Sequence, residues 1–162
     1  MYSPFKTINL TTPQSTTSST TEVKLASILV PANTFGVGDC LKIECFAKKQ
    51  NINAGSNFRL YWNTSDSISS PTPIRIGEFL GVTLTGTAIP ITRRLAIATS
   101  NGTGDGSSTL LNTFDIYQDY INGYVLSSLA LNWTVNSYII FAGSVVNPSD
   151  IINCEWMRIT NG

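Results

Sequence analysis

Short apolar runs separated by turn residues are the feature of this sequence that most limits its possible folds. Along residues 40–48, small or aliphatic side chains alternate with charged or aromatic ones, and residues 57–62 alternate in the same way. Strict alternation sends the two sets of side chains to opposite faces of a β-strand, so both segments predict half-buried strands. Shorter or fully buried strands are predicted at 23–30, 74–84, 89–98, 109–117, 124–131, 137–146 and 151–159.

Helix is predicted almost nowhere, apart from a turn near 116–121, because long windows with an apolar period of about 3.6 residues are missing. Charged residues make up only 12% of the chain, and Ser, Thr and Asn, which favour turns and pleated surfaces over helices, take their place. We therefore expect an all-β jelly-roll sandwich of about eight to ten antiparallel strands in two sheets. An immunoglobulin-type sandwich is the alternative, but its Cys-Trp-Cys spacing is not present.

The first 21 residues differ from the rest of the chain. Residues 11–21 contain no apolar side chain, which predicts a linker, whereas a short apolar patch precedes them. We expect an extended N-terminal arm with its linker at 1–21, followed by a jelly-roll domain at 22–162. The arm is predicted to dock onto another protein through Tyr2, Phe5, Ile8 and Leu10, and a disordered tail is the alternative.

Several classes of function are excluded by composition. The chain has no histidine, so His-based acid–base catalysis and most zinc sites are ruled out. Ten basic and ten acidic residues balance, which leaves no electrostatic footprint for nucleic acid or for an anionic membrane. A membrane-spanning run and a secretory signal are also missing, so we expect synthesis in a cytoplasm. Cys45 and Cys154 are predicted to be small core residues, and the protein is expected to be neither an enzyme nor dependent on a cofactor or metal.

Two polar clusters resemble functional sites, but the sequence favours ordinary loops for both. Residues 101–106 place oxygen-bearing side chains as a calcium loop would, but Asn112 stands where a bidentate Glu is needed, so a plain hairpin loop is favoured. Asp115 and Asp119 are paired carboxylates beside aromatics, as in a glycosidase, yet a polar turn with aromatic packing explains them better. The aromatics of that turn, Tyr117 and Tyr120, become candidates for a subunit interface.

Two further residues are interface candidates because of where the alternation places them. Phe46 shares a strand face with charged residues, so it is predicted to point outward. Arg93 lies in the apolar set of its strand, where an unpaired charge would be costly. It is expected either to contact a carboxylate across a subunit interface or to be turned outward by a bulge.

Two regions carry a resemblance to a known family. Residues 29–35 (LVPANTF), then Gly38-Asp39 and residues 58–66 (FRLYWNTSD), resemble the first half of bacteriophage virion proteins that have a tumour-necrosis-factor-like jelly roll. Residues 133–142 and 150–159 are similar to the last two strands of these proteins, and the resemblance covers roughly residues 23–160. Such domains form trimeric tips of head fibres and tail fibres.

The resemblance implies a structural virion protein, a capsid-attached or tail-attached fibre or decoration component that is made in the host cytoplasm. Its expected partners are further copies of itself, as a trimer, and other virion proteins of the capsid or tail, with a host surface glycan as an additional ligand. The alternative from the residues themselves is a carbohydrate-binding module. Its stacking surface would come from five aromatics, namely Trp62, Tyr117, Tyr120, Trp133 and Trp156.

Overall fold

A computed structural model of the protein describes residues 7–10, 16–50, 55–82, 86–97, 107–111 and 127–161. Within these ranges the chain forms eleven β-strands, and no helix there is long and apolar enough to cross a membrane. The strands are β1 (Thr7–Leu10), β2 (Thr16–Thr17), β3 (Val23–Val30), β4 (Cys40–Gln50), β5 (Ser56–Asn63), β6 (Ile74–Val82), β7 (Gly86–Ile97), β8 (Ser107–Leu111), β9 (Ser127–Ala130), β10 (Ser137–Val145) and β11 (Ile151–Asn161).

The strands form two sheets. The larger sheet has seven strands in the order β1-β11-β4-β7-β8-β9, with β2 also beside β11, and the smaller has four in the order β3-β10-β5-β6. The chain passes from one sheet to the other between β2 and β3, β3 and β4, β4 and β5, β6 and β7, β9 and β10, and β10 and β11. All paired strands are antiparallel, so the jelly-roll sandwich predicted from the alternation is confirmed, with β1 and β2 raising the number of strands above the expected eight to ten.

The core lies between the two sheets and uses one side of each alternating strand. In β4 the aliphatic set is fully buried while Lys42, Glu44 and Phe46 remain partly exposed. The rings of Phe58 and Phe141 stack across the smaller sheet with centroids 5.4 Å apart and planes 13° from parallel. Burying one such side chain stabilises the fold by about 1.5–3 kcal/mol, so the core is the main source of stability.

The predicted core cysteines are confirmed. Cys45 and Cys154 are both buried and both free thiols. Burial raises the pKa of the Cys154 thiol to about 12, and burial likewise raises the pKa of the Cys45 thiol well above its ordinary value. Both thiols are therefore uncharged and act as small apolar groups in the core.

Part of the expected arm belongs to the larger sheet. Strand β1 pairs with β11 so that Ile8 lies opposite Ile159 and Leu10 opposite Met157, and β2 pairs with β11 at Ile152 and Asn153. The boundary expected near Thr21 therefore does not separate an unpaired arm from the domain. The physical reason is that β11 would otherwise expose a row of unpaired backbone N–H and C=O groups, which these two short strands satisfy. Tyr2 and Phe5 lie outside the described residues.

Arg93 points inward. It is 4% exposed, it alternates with the buried Ile91 and Leu95, and it lies opposite Ile43 in a regular stretch of the β4–β7 ladder. The expectation that a bulge turns this side chain outward is therefore wrong. Arg93 is engaged within the chain and is buried there, and its role at a subunit interface stays a prediction.

Candidate binding surface on the larger sheet

A row of two aromatic residues and a proline crosses three strands on the outward side of the larger sheet. Trp156 of β11 lies opposite Phe46 of β4, and Phe46 lies opposite Pro90 of β7. These three residues, called the aromatic row below, stand on the face opposite the core because their strand neighbours Cys45, Ile91 and Met157 are buried. Phe46 thus points outward, as the alternation predicts.

The geometry of the row comes from a bulge in β11. The ladder between β11 and β4 shifts register between Cys154 and Trp156, which leaves both Glu155 and Trp156 partly exposed on consecutive positions. A bulge redirects side chains in this way. The Trp156 and Phe46 rings then meet with centroids 5.0 Å apart and planes 53° from parallel.

A charged row runs beside the aromatic row. Arg158 Nε donates a hydrogen bond to Glu44 Oε2 over 3.0 Å, and a second guanidinium nitrogen contacts the same oxygen. Lys42 Nζ lies 2.6 Å from the other oxygen, Glu44 Oε1. Although partial burial pushes the pKa of Glu44 upward, the hydrogen bonds from Lys42 and Arg158 outweigh it and hold that pKa below its ordinary value. Glu44 is therefore charged at neutral pH and holds both cations in place.

The two rows are joined through Arg158. Its Cζ atom lies 4.8 Å from the centroid of the Trp156 ring, which is within cation–π range. The tryptophan is thus held between a phenylalanine and a guanidinium that is itself fixed by a carboxylate. Such a surface is suited to stacking and to pairing with preoriented charges, and Trp and Arg are residue types that are enriched at the energetic centres of protein interfaces.

The outward side of the smaller sheet carries an ion-pair network. Arg59 Nε donates to Glu78 Oε1 over 2.7 Å, its guanidinium also lies 3.3 Å from Glu22, and the Tyr61 hydroxyl donates to Glu22 over 2.9 Å. Ile140, whose neighbours in β10 point into the core, is fully buried on this side. The network covers part of this face, and beside it the partly exposed Tyr138 lies opposite Leu29, which is 44% exposed.

The proposed stacking surface of five aromatics is not assembled by the fold. Trp62 and Trp133 are core residues, 7% and 5% exposed, and Trp133 meets Phe35 edge-on at 6.2 Å. The expectation that these two tryptophans form a binding surface is wrong, because both lie on the inward side of the sandwich. Trp156 is partly exposed, and Tyr117 and Tyr120 lie outside the described residues.

Several predicted sites and elements fall on residues that the structure does not describe, and one further question is whether the described residues could hold a metal ion. The loop 101–106, the carboxylates Asp115 and Asp119 and the turn near 116–121 are not among the described residues. Among the residues that are described, no three His, Cys, Asp or Glu side chains come together to hold a metal ion. Sequence reasoning missed Glu44 and Arg158, whose only signal was their place on the outward faces of two strands whose pairing was unknown.

Comparisons with known proteins find only distant structural similarities. No protein-family model matches the sequence, and no curated protein matches it either. Among solved structures, dimeric latent PorU from Porphyromonas gingivalis is 14% identical with a TM-score of 0.41, covering 96% of this chain and 12% of that chain. The potassium-bound carbohydrate recognition domain of Emp46p is 11% identical with a TM-score of 0.39, covering 98% of this chain and 88% of that chain. The catalytic domain of an endo-1,3-beta-glucanase (laminarinase) from Thermotoga petrophila is 16% identical with a TM-score of 0.31, covering 83% of this chain and 68% of that chain.

Proposed function

We propose that this chain is a non-enzymatic structural protein that associates with further copies of itself through the outward face of the larger sheet. The observation that carries the proposal is the aromatic row of Trp156, Phe46 and Pro90 beside the fixed charges of Arg158 and Glu44. Large aromatic and guanidinium groups at the centre of a patch, with charged groups around them, are typical of interfaces rather than of free surfaces. The opposite face of the sandwich carries the ion-pair network of Arg59, with Tyr138 opposite Leu29 beside it.

The resemblance of residues 23–160 to phage virion proteins supports a more specific form of the proposal. In that form the protein is a trimeric component of a phage head or tail, and its N-terminal residues attach it to another virion protein. Because β1 is part of the sheet, the attachment is assigned to the residues ahead of it, Tyr2 and Phe5, rather than to Ile8 and Leu10. Nucleic acid and membrane remain outside the expected partners.

Self-association is tested by measuring the mass of the purified protein by light scattering and sedimentation velocity at micromolar concentrations. We expect a trimer for the wild type and a folded monomer for Trp156→Ala. Tyr138→Ala is the matched control, because Tyr138 is also a partly exposed aromatic but lies on the outward side of the smaller sheet. A monomeric wild type, or a Trp156→Ala protein that is still trimeric, would contradict the proposal.

Attachment is tested by supplying variants during infection and measuring their occupancy in purified particles by mass spectrometry. Tyr2→Ser with Phe5→Ser is expected to fold and trimerise normally but to be missing from particles. Deleting residues 1–10 is a poorer test, because it also removes β1 and uncovers the backbone of β11. Normal occupancy of the double variant would show that another surface makes the attachment.

Glycan recognition is the second candidate, and one observation favours it. The Trp156 ring is partly exposed and has the hydrogen-bonding groups of Arg158 and Glu44 fixed beside it, and sugar sites commonly combine an aromatic face with preoriented polar groups. A glycan array probed with wild type, Trp156→Ala and Tyr138→Ala distinguishes the two candidates. A monomer that binds a sugar and loses it only in Trp156→Ala would favour recognition over assembly.

A further inference from the structure

A lysine and an aspartate are completely enclosed at one end of the sandwich. Lys49 lies one residue before the end of β4, and Asp150 immediately precedes β11, the strand that pairs with β4. Neither side chain is exposed at all, and Lys49 Nζ lies 3.4 Å from Asp150 Oδ2. The backbone N–H of Asp150 donates to the carbonyl of Asn147 over 2.9 Å, so the turn that presents the aspartate is itself held in place.

A second lysine–aspartate pair shows how unusual the enclosed one is. Lys24 and Asp66 are 37% and 41% exposed and approach to 2.6 Å, the close contact expected of an ion pair whose charges are still hydrated. Charge-assisted hydrogen bonds generally measure about 2.7–2.9 Å, so the enclosed pair is separated by more than a good ion pair although it has lost its water. Removing two opposite charges from water is costly, and a condensation between the two groups would replace both charges with one neutral amide.

We propose that Lys49 and Asp150 condense into an intramolecular amide bond between Lys49 Nζ and Asp150 Cγ. The ammonium passes one proton to Oδ2, and the resulting amine nitrogen attacks Cγ. A second proton then moves from the nitrogen to the departing oxygen, the C–O bond breaks, and one water leaves. The product is a neutral secondary amide that keeps one N–H, and no oxidant, reductant or further reactant is consumed.

The fold supplies what this reaction needs. Paired strands hold Lys49 Nζ 3.4 Å from Oδ2 of the carboxyl group that it would attack, and groups held together in this way gain the advantage of an intramolecular step. The enclosure that keeps water out also prevents water from returning to hydrolyse the amide. The bond would tie β4 to β11 and close a loop over most of the chain, a constraint that stabilises a fold chiefly by restricting the unfolded state.

The test is the intact mass of the denatured wild-type protein, since an ion pair cannot survive denaturation but an amide does. We expect the wild type to be one water lighter than its sequence, and Lys49→Arg to have its full sequence mass. Peptide mapping of the wild type should show a branched peptide joined at Lys49 and Asp150, with no tryptic cleavage after Lys49. This mapping keeps the test decisive even if Lys49→Arg does not fold.

Two controls separate the proposed bond from other losses of mass. Lys24→Arg removes the lysine amine of the exposed pair and should remain one water lighter, because the proposed bond does not involve that pair. Asp150→Asn offers an amide carbon to the same lysine and should become one ammonia lighter. A wild type with its full sequence mass overturns the proposal. So does a loss of water that persists in Lys49→Arg, which would indicate dehydration elsewhere, for example at the Asp105-Gly106 sequence.

Discussion

Replacing Gly143 with alanine tests how closely the two sheets pack where β10 crosses the core. A Cβ at this position would lie 2.8 Å from Ile152 Cδ1, 3.0 Å from Leu25 Cδ1 and 3.1 Å from the backbone oxygen of Asn57. The two methyl groups are ends of flexible side chains, but the Asn57 carbonyl belongs to the neighbouring strand and cannot retreat without disturbing the ladder. Overpacking of this kind typically costs about 1–3 kcal/mol.

For a domain of this size, that loss corresponds to a fall in melting temperature of about 2–12 °C. Urea unfolding followed by circular dichroism measures the change in free energy of unfolding directly. Gly36→Ala is the matched control, because a Cβ there meets no atom within 4 Å and its effect should stay within about 0.5 kcal/mol. If Gly143→Ala were as stable as Gly36→Ala, the close packing between β10 and β11 would be refuted.

Three further predictions concern ionisable groups. In the native protein a thiol reagent should modify the partly exposed Cys40 and spare Cys45 and Cys154, which should react only after unfolding, as counted by mass spectrometry. Burial, with the hydrogen bond to Glu22, raises the pKa of Tyr61 from 10.0 to about 12, so the unfolded tyrosine ionises first. The stability that Tyr61 contributes should therefore be lost as pH rises from 10 to about 12, and denaturant titrations of Tyr61→Phe should lack this step. For Glu44 the dependence of stability on pH runs in the opposite direction. Because its folded pKa lies below the ordinary 4.5, the stability that Glu44 contributes is present above pH 4.5 and is lost as pH falls through the folded value. Glu44→Gln should show a weaker loss of stability over that acid range, and an unchanged loss would mean that its ion pairs contribute nothing to folding.

The strand pairing of the N-terminal segment could not be predicted from the sequence alone. Residues 7–10 have apolar and polar side chains in alternation, which is compatible with a strand, but nothing local indicates which strand they would join. Their partner, β11, lies at the other end of the chain, with Thr7 opposite Thr160. A Thr/Ser-rich run has little to bury and predicts a linker by composition, yet two of its residues add backbone hydrogen bonds to an open strand edge.

The exposure of the three tryptophans was likewise not predictable from the sequence. Trp62 and Trp133 are indistinguishable from Trp156 as residue types, and each borders a predicted strand or lies within one. Which of them is exposed depends on the side of the strand it occupies and on what packs there. For Trp156 that side was set by a bulge between Cys154 and Trp156, and the bulge becomes visible only once β11 is aligned with β4.

The sequence by itself determined the class of fold, the inward set of side chains in strands such as β4 and β5, and the burial of Cys45 and Cys154. All three follow from the alternation of side chains, which is a local pattern that can be recognised within a single strand. Only the tertiary structure decided that Arg93 lies inside, that Glu44 meets Arg158 across 114 positions, and that Lys49 is enclosed with Asp150. Each of these depends on which distant strands pair and in which register. Many pairings satisfy the same local pattern, and the choice among them is made by the packing of the whole core.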